Sequence, residues 1–282
     1  MNEIETTASR RLNITMLQET LDTHLFGIGD RLVFLPTVDS TNTQAMRLAL
    51  NGSEEGVVVL TDNQTAGKGR LGRRWIDRAG CNVLSSLVLR PQFPPYLLVM
   101  IASLAVVEAI RRSCSITATI KWPNDVLIGQ RKVAGILIET SHDRAGRMIA
   151  IMGIGVNVNG GIPQADVELQ ARATTLESEC GHRVSRELFI TYLLQHLETN
   201  YLALQQEAPD PGGAASGVIS RLIREQWRTQ LSTLGRTIQV RQGNATLSGI
   251  AEDVNEVGEL LLRNHSGELV NVTWGDVGYP TE

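Results

Sequence analysis

The chain has 282 residues, with 26 Lys and Arg against 30 Asp and Glu, for a net charge of −4. An acidic balance with 42% hydrophobic residues describes a globular protein with a real core, not one that coats nucleic acid. Cys81, Cys114 and Cys180 form no C-x-x-C pair and the five histidines show no ligand spacing, which excludes a disulfide frame and a zinc site and points to reduced thiols in the cytoplasm.

The chain opens on an acidic, polar stretch, M-N-E-I-E-T-T, unlike a secretory signal. Leu12–Leu25 has the pattern of a short amphipathic helix, and Asp39-Ser40-Thr41-Asn42 offers N-cap residues for a helix to about Leu50. Val57–Leu60, Val83–Leu89, Ile116–Lys121, Val126–Ile128, Val133–Glu139 and Met148–Gly153 read as strands, rich in Val, Ile and Leu and bounded by turn residues. Leu97–Arg112 reads as a buried helix; it is too short to span a bilayer and carries Glu108, so no membrane role is expected. Arg186–Gln206 has a helical period, Pro209-Asp210-Pro211-Gly212-Gly213 breaks it, and Ser216–Leu231 resumes a helix that Gly235 closes. Beyond Leu234 the character changes. Thr237–Val240, Ala245–Val254, Leu260–Arg263 and Leu269–Thr273 are short strands separated by glycine turns, the spacing of a small SH3-like β-barrel.

Three segments carry chemistry. Gln64–Trp75, Q-T-A-G-K-G-R-L-G-R-R-W, alternates three glycines with Lys68, Arg70, Arg73 and Arg74. Glycines let backbone N–H groups close around an anion, and the cations add charge-assisted hydrogen bonds. The stretch lacks the G-K-[ST] of a P-loop; a solvated basic hairpin is the plain alternative. In Lys121–Glu139, the turn Trp122-Pro123-Asn124-Asp125 joins strands and is flanked by charge, Lys121 before it, Asp125 after it and Arg131-Lys132 at the next turn; such a hairpin can place Lys132 beside a ligand while Gly135 leaves room for it. An ordinary hairpin is the alternative there. In Gly153–Asn159, G-I-G-V-N-V-N, an asparagine at a strand end could read a purine edge, or the segment could be a bulged strand.

Taken in order, these segments resemble the bacterial biotin protein ligases. The resemblance starts at Thr37-Val38-Asp39-Ser40-Thr41-Asn42 and runs through the Gly/Arg loop, K-W-P-N-D, R-K-V-A-G-I-L-I-E and G-I-G-V-N-V-N. It continues through Ala173-Thr174-Thr175-Leu176 to Gly249-Ile250-Ala251, Gly258–Leu262 and Gly275-Asp276-Val277. One such motif is weak; the ordered set is specific. The resemblance implies an α+β fold, with a central mixed β-sheet and helices of the class II synthetase-like, biotin/lipoate ligase type. A small C-terminal SH3-like barrel is implied beside it. The expected division is a short extension over residues 1–27, a catalytic domain over 28–233 and the barrel over 234–282.

It also implies an activity: activation of biotin with ATP and Mg²⁺, the metal arriving on the nucleotide, and transfer to a carrier lysine. The expected partner is the biotin carboxyl carrier protein of acetyl-CoA carboxylase. By resemblance, Ser40, Thr41 and Gln64 bind the ureido end of biotin, and Gly67, Lys68, Arg70, Lys132 and Gly135 complete its site. Arg70, Arg73, Trp75 and Asn157 face the nucleotide. Lys132 and Arg70 are catalytic, and Asp125 orients the carrier lysine or is structural. Two departures stand out. Lys68 occupies a position where many relatives have Arg, keeping the charge but losing the bidentate fork. Fewer than forty residues precede Asp39-Ser40-Thr41, too few for the winged helix-turn-helix of repressor relatives, so no operator binding is expected. The rivals are a lipoate or octanoate ligase and a non-catalytic biotin- or nucleotide-binding regulator.

Overall fold

The structure, a computed structural model, describes residues 11–162, 167–207 and 217–280. The N-terminal acidic stretch and the Pro209–Gly213 break lie outside them. A seven-stranded sheet organises the larger part. Its strands are β1 (Leu32–Leu35), β2 (Val58–Thr61), β3 (Val83–Leu89), β4 (Thr119–Lys121), β5 (Asp125–Ile128), β6 (Arg131–His142) and β7 (Met148–Val156). Their order is β1-β2-β3-β7-β6-β5-β4. Only β1 and β2 run parallel; the other pairs are antiparallel, which makes the sheet mixed.

Helices cover both faces. Val57, Val59, Val88, Ile149 and Ile151 face Ala45 and Ala49 of α2 (Thr41–Leu50). The alternate residues Val58, Leu60, Leu87, Leu89, Ala150 and Met152 face the main core. That core packs under α3 (Tyr96–Cys114) and a long C-terminal helix, Arg186–Gln206. Burial on both faces explains why β7, and β3 apart from Ser85 and Ser86, read as apolar runs and not as alternating ones. Among the described residues no helix is long and apolar enough to cross a membrane.

The expected helix Leu12–Leu25 forms only as α1, Ile14–Thr20, with Asn13 capping through the N–H of Met16. Tertiary contacts take the rest. The buried carboxylate of Glu198 accepts from the N–H groups of His24, Leu25 and Phe26 at 2.6, 2.7 and 2.8 Å, and Phe26 packs on Tyr201. Glu198→Gln removes the charge and turns a donor toward these N–H groups. It is expected to cost about 2 kcal/mol, read as a lower midpoint in urea unfolding with unchanged m-value.

Two short helices follow β7: α4 (Val167–Arg172) and α5 (Leu176–Cys180), the latter capped by Thr175 and closed by Gly181 at φ +78°. Neither was evident in the sequence, both being under two turns long. Ser185 caps the long helix, α6 (Arg186–Gln206), by accepting from Leu188 N–H. The next helix, α7, spans Val218–Thr229, shorter than its pattern. Gln230 and Ser232 instead pair with Ile120 on β4 at 2.8 Å each, so Gly235 turns the chain into the next strand and does not cap the helix.

The C-terminal strands β8 (Thr237–Gln242), β9 (Ala245–Val254), β10 (Leu260–Asn264), β11 (Leu269–Val272) and β12 (Asp276–Gly278) form an antiparallel sheet ordered β11-β10-β9-β8-β12. The expected small C-terminal β-structure is there, but among the described residues no pairing joins β11 to β12, so the sheet is not closed into the barrel that was expected. Its apolar residues, among them Ile238, Val240, Leu260 and Leu262, join the main core. The indole Nε1 of Trp122 donates to the carbonyl of Gly258 at 2.9 Å. These contacts set β12 beside the Gly/Arg loop.

Candidate active site

The polar floor of the site is built at the start of α2. Ser40 takes the extended N-cap conformation, yet its hydroxyl makes no cap hydrogen bond. Asp39 serves the helix start instead: Oδ1 accepts from Ser40 N–H at 2.8 Å and from Gln44 Nε2 at 2.9 Å. The Ser40 N–H bond is the main reason its carboxyl sits below the usual range. The hydroxyl of Ser40 is thereby left to a cleft it shares with Thr41, Gln64 and Ser85. Thr41 N–H donates to Gln64 Oε1 at 2.8 Å. Ser86 Oγ lies 2.7 Å from Thr41 Oγ1 and 2.6 Å from Asn42 Oδ1. Asn42 packs against Gly153, where a Cβ would meet its Oδ1 at 2.1 Å.

A β-bulge aims the central lysine. Val126 pairs with Ala134 but Leu127 pairs with Lys132, leaving Val133 as the extra residue. In a regular strand Lys132 and Gly135, three apart, would point to opposite faces. The bulge breaks that parity, as bulges near sites do, and both line the same cleft. Lys132 Nζ lies 2.6 Å from Asp125 Oδ1 and 5.6 Å from the Trp75 ring centroid. The indole of Trp75 covers the glycine faces: a Cβ on Gly155 would approach it to 2.8 Å, and one on Gly135 to 3.2 Å.

The Gly/Arg loop is a hairpin flap. Trp75 N–H donates to Gly67 O at 3.0 Å and Gly69 N–H to Arg73 O at 2.7 Å. Its tip, Arg70–Gly72, holds Leu71 at φ +55°. Arg70 donates to Asn124 Oδ1 at 2.9 Å and reaches the carbonyl of Gly275 at 3.5 Å. Burial pushes its guanidinium down from its ordinary value, with Asp276 and Asp125 opposing. Arg73 pairs with Asp276 of β12. Asn124 also donates to Ile136 O at 2.6 Å, so one buried amide links the turn, β6 and the flap.

Two cavities meet at Lys132 and Trp75. The polar-floored cleft, about 60 Å³, is also lined by Ser40, Thr41, Gln64, Lys68, Arg70 and Gly135. A second cavity of about 550 Å³ is lined by Arg74, Asp77, Asn157 and Thr175 as well. Burial pushes the Asp77 carboxyl up from its ordinary range. Asn157 donates through Nδ2 to the Thr174 carbonyl at 3.2 Å, so one of its amide hydrogens is already taken. The cleft thus gathers the residues expected at the biotin end except Gly67, which lines a neighbouring cavity along the flap. Of those expected at the nucleotide, Trp75 and Asn157 share the larger cavity. Arg70 and Arg73 instead border a third cleft of about 570 Å³ with Asp125, Lys121 and Asp276. Sequence reasoning did not single out Asn42, Ser86, Asn124, Glu139 or Asp276 for the site. Asn42, Asn124, Glu139 and Asp276 stood inside quoted motifs; Ser86, in a strand otherwise mostly apolar, carried no signal.

Comparison with known proteins fits this arrangement. Residues 34–159 match the model of the Biotin/lipoate A/B protein ligase family, which leaves the two acyl groups undivided. Residues 233–277 match the Biotin protein ligase C terminal domain. The chain belongs to the biotin protein ligase family. It is 38% identical to the biotin--[acetyl-CoA-carboxylase] ligase of Paracoccus denitrificans, over 84% of this chain and 95% of that protein. Identity to the enzyme of the same name from Mycobacterium tuberculosis is 29%, over 95% and 97%. The solved biotin protein ligase of Aquifex aeolicus, in complex with biotin and ATP, superposes with TM-score 0.71 at 27% identity, over 88% of this chain and 97% of that one.

Proposed function

We infer that this protein is an ATP-dependent biotin–protein ligase. The biotin carboxylate attacks the α-phosphorus of MgATP, giving biotinyl-5′-AMP and pyrophosphate. A carrier lysine amine then attacks the acyl carbon, forming the amide and releasing AMP. The observation that carries this reading is the position of Lys132, whose side chain borders both the polar-floored cleft and the Asn157 cavity. An acyl adenylate laid across that junction puts its mixed anhydride beside the ammonium. The cation offsets repulsion between carboxylate and phosphate and stabilises charge that develops in transfer.

No protein nucleophile is needed; positioning and electrostatics supply the catalysis. Ser40, Thr41 and Gln64 have the donors and acceptors for a ureido ring. Trp75 separates the two cavities and offers its ring to either ligand. The 60 Å³ cleft is too small for a bicyclic acid with the flap down, so the flap lifts to admit biotin and closes afterwards to exclude water. Asp125, now paired with Lys132, is placed to receive a proton from the incoming amine. Biotin carboxyl carrier protein of acetyl-CoA carboxylase is the proposed acceptor, and the cytoplasm, where free thiols persist, the proposed location.

The test is pyrophosphate exchange with purified protein, followed by transfer to a carrier domain. Exchange that requires biotin and ignores lipoate is expected. Exchange that requires lipoate, or biotin binding without any turnover, overturns the reading.

A further inference from the structure

The chemistry above leaves the carboxylate of Glu139, on β6, unused. Its two oxygens serve two different elements. Oε2 accepts from Asn42 Nδ2 at 2.7 Å, in the buried first turn of α2. Oε1 accepts from Lys68 Nζ at 3.2 Å, on the first arm of the flap. From Asn42 the polar chain continues through Ser86 to Thr41, and from Thr41 to Gln64 at the flap's base. The flap is therefore tied to the cleft floor at its base and along one arm by a single connected set of hydrogen bonds.

We propose that Glu139 is a positioning residue that couples occupancy of the polar-floored cleft to closure of the flap, with Lys68 as its electrostatic pin. The proposal rests on the ligase reading. A ligand that orders Thr41 and Gln64 also orders Asn42, which aims Glu139 at Lys68. The lysine matters for this division. An ammonium takes one carboxylate oxygen and leaves the other to Asn42, whereas a guanidinium fork would compete for both. The pair is partly exposed, with side-chain exposures of 44% and 33%, so its contribution is modest and sensitive to salt.

The experiment forms labelled biotinyl-5′-AMP in situ on the full chain from biotin and MgATP, then measures its escape without a carrier. Glu139→Gln retains an acceptor for Asn42 but loses the charge; Lys68→Met loses the charge from the other side. Each is expected to release the adenylate about two- to fivefold faster. The double variant releases it no faster than either single one, because both remove the same interaction. Raising the salt concentration speeds escape from the unsubstituted protein and leaves Glu139→Gln unchanged. Glu139→Ala also deprives Asn42 of its acceptor and adds a rise in biotin KM. Unchanged escape from both single variants, or additive effects in the double one, overturns the coupling. Failure of the unsubstituted protein to form the adenylate overturns the ligase reading instead.

Discussion

Lys132→Ala is expected to lower biotin-dependent pyrophosphate exchange by about a hundred- to a thousandfold, with the fold retained. The size follows from where the ammonium stands. It is the cation shared by the two cavities and held at their junction by the Val133 bulge. Truncation removes charge stabilisation that no neighbour replaces: Arg70 is engaged with Asn124 and Lys121 borders the cleft beyond Asp125. Burial also pushes the Lys121 ammonium below the ordinary lysine range, against the pull of Asp125. Stability should change little, because the Lys132–Asp125 pair is partly exposed, at 35% and 24%, and such pairs contribute about 1 kcal/mol or less. Exchange kinetics and the thermal midpoint together separate the two effects. Near-normal exchange at saturating biotin and ATP would remove the assignment.

The second large effect concerns a residue with no functional group. Gly153→Ala should destabilise the protein by about 2–4 kcal/mol and raise the biotin KM about tenfold. Gly153 sits in β7 opposite Ser86 and Leu137, and its φ is not unusual, so backbone strain plays no part. The cause is the approach of Asn42, whose Oδ1 would lie 2.1 Å from the new Cβ. Asn42 is 4% exposed and is held on both sides, by Ser86 at 2.6 Å and Glu139 at 2.7 Å. To clear the methyl group it must abandon these partners inside the core. Thr41, its neighbour in the floor, then moves with the start of α2. Adding Asn42→Ala relieves the clash, so the double variant should be more stable than the sum of the single effects implies. Strict additivity would show that the contact is not the cause.

The sequence by itself determined the family, the order of the motifs and most elements. The ladder runs from β2 to β7, and the helices α2, α3 and α6, follow directly from apolar runs bounded by turn and cap residues. The Gly/Arg hairpin and the R-K-V-A-G-I-L-I-E strand were legible through their place in an ordered set of motifs, since each alone also fits an ordinary hairpin. Strands β1 and β12 and helices α4 and α5 were not read, being too short for a periodic signal.

Tertiary structure decided the rest, and each case has a reason in distance along the chain. The fate of Leu21–Phe26 depends on Glu198, about 170 positions later; local periodicity has no access to such a partner. Lys132 and Gly135 share a face only because β5 pairs with β6 through a bulge, a property of the register and not of either strand alone. Asp276 meets Arg73, and Glu139 meets Lys68, because packing of the C-terminal sheet and closure of the flap bring oppositely charged groups together. Residue type sets which chemistry is possible at a position, while only the packed chain sets which groups stand close enough to perform it.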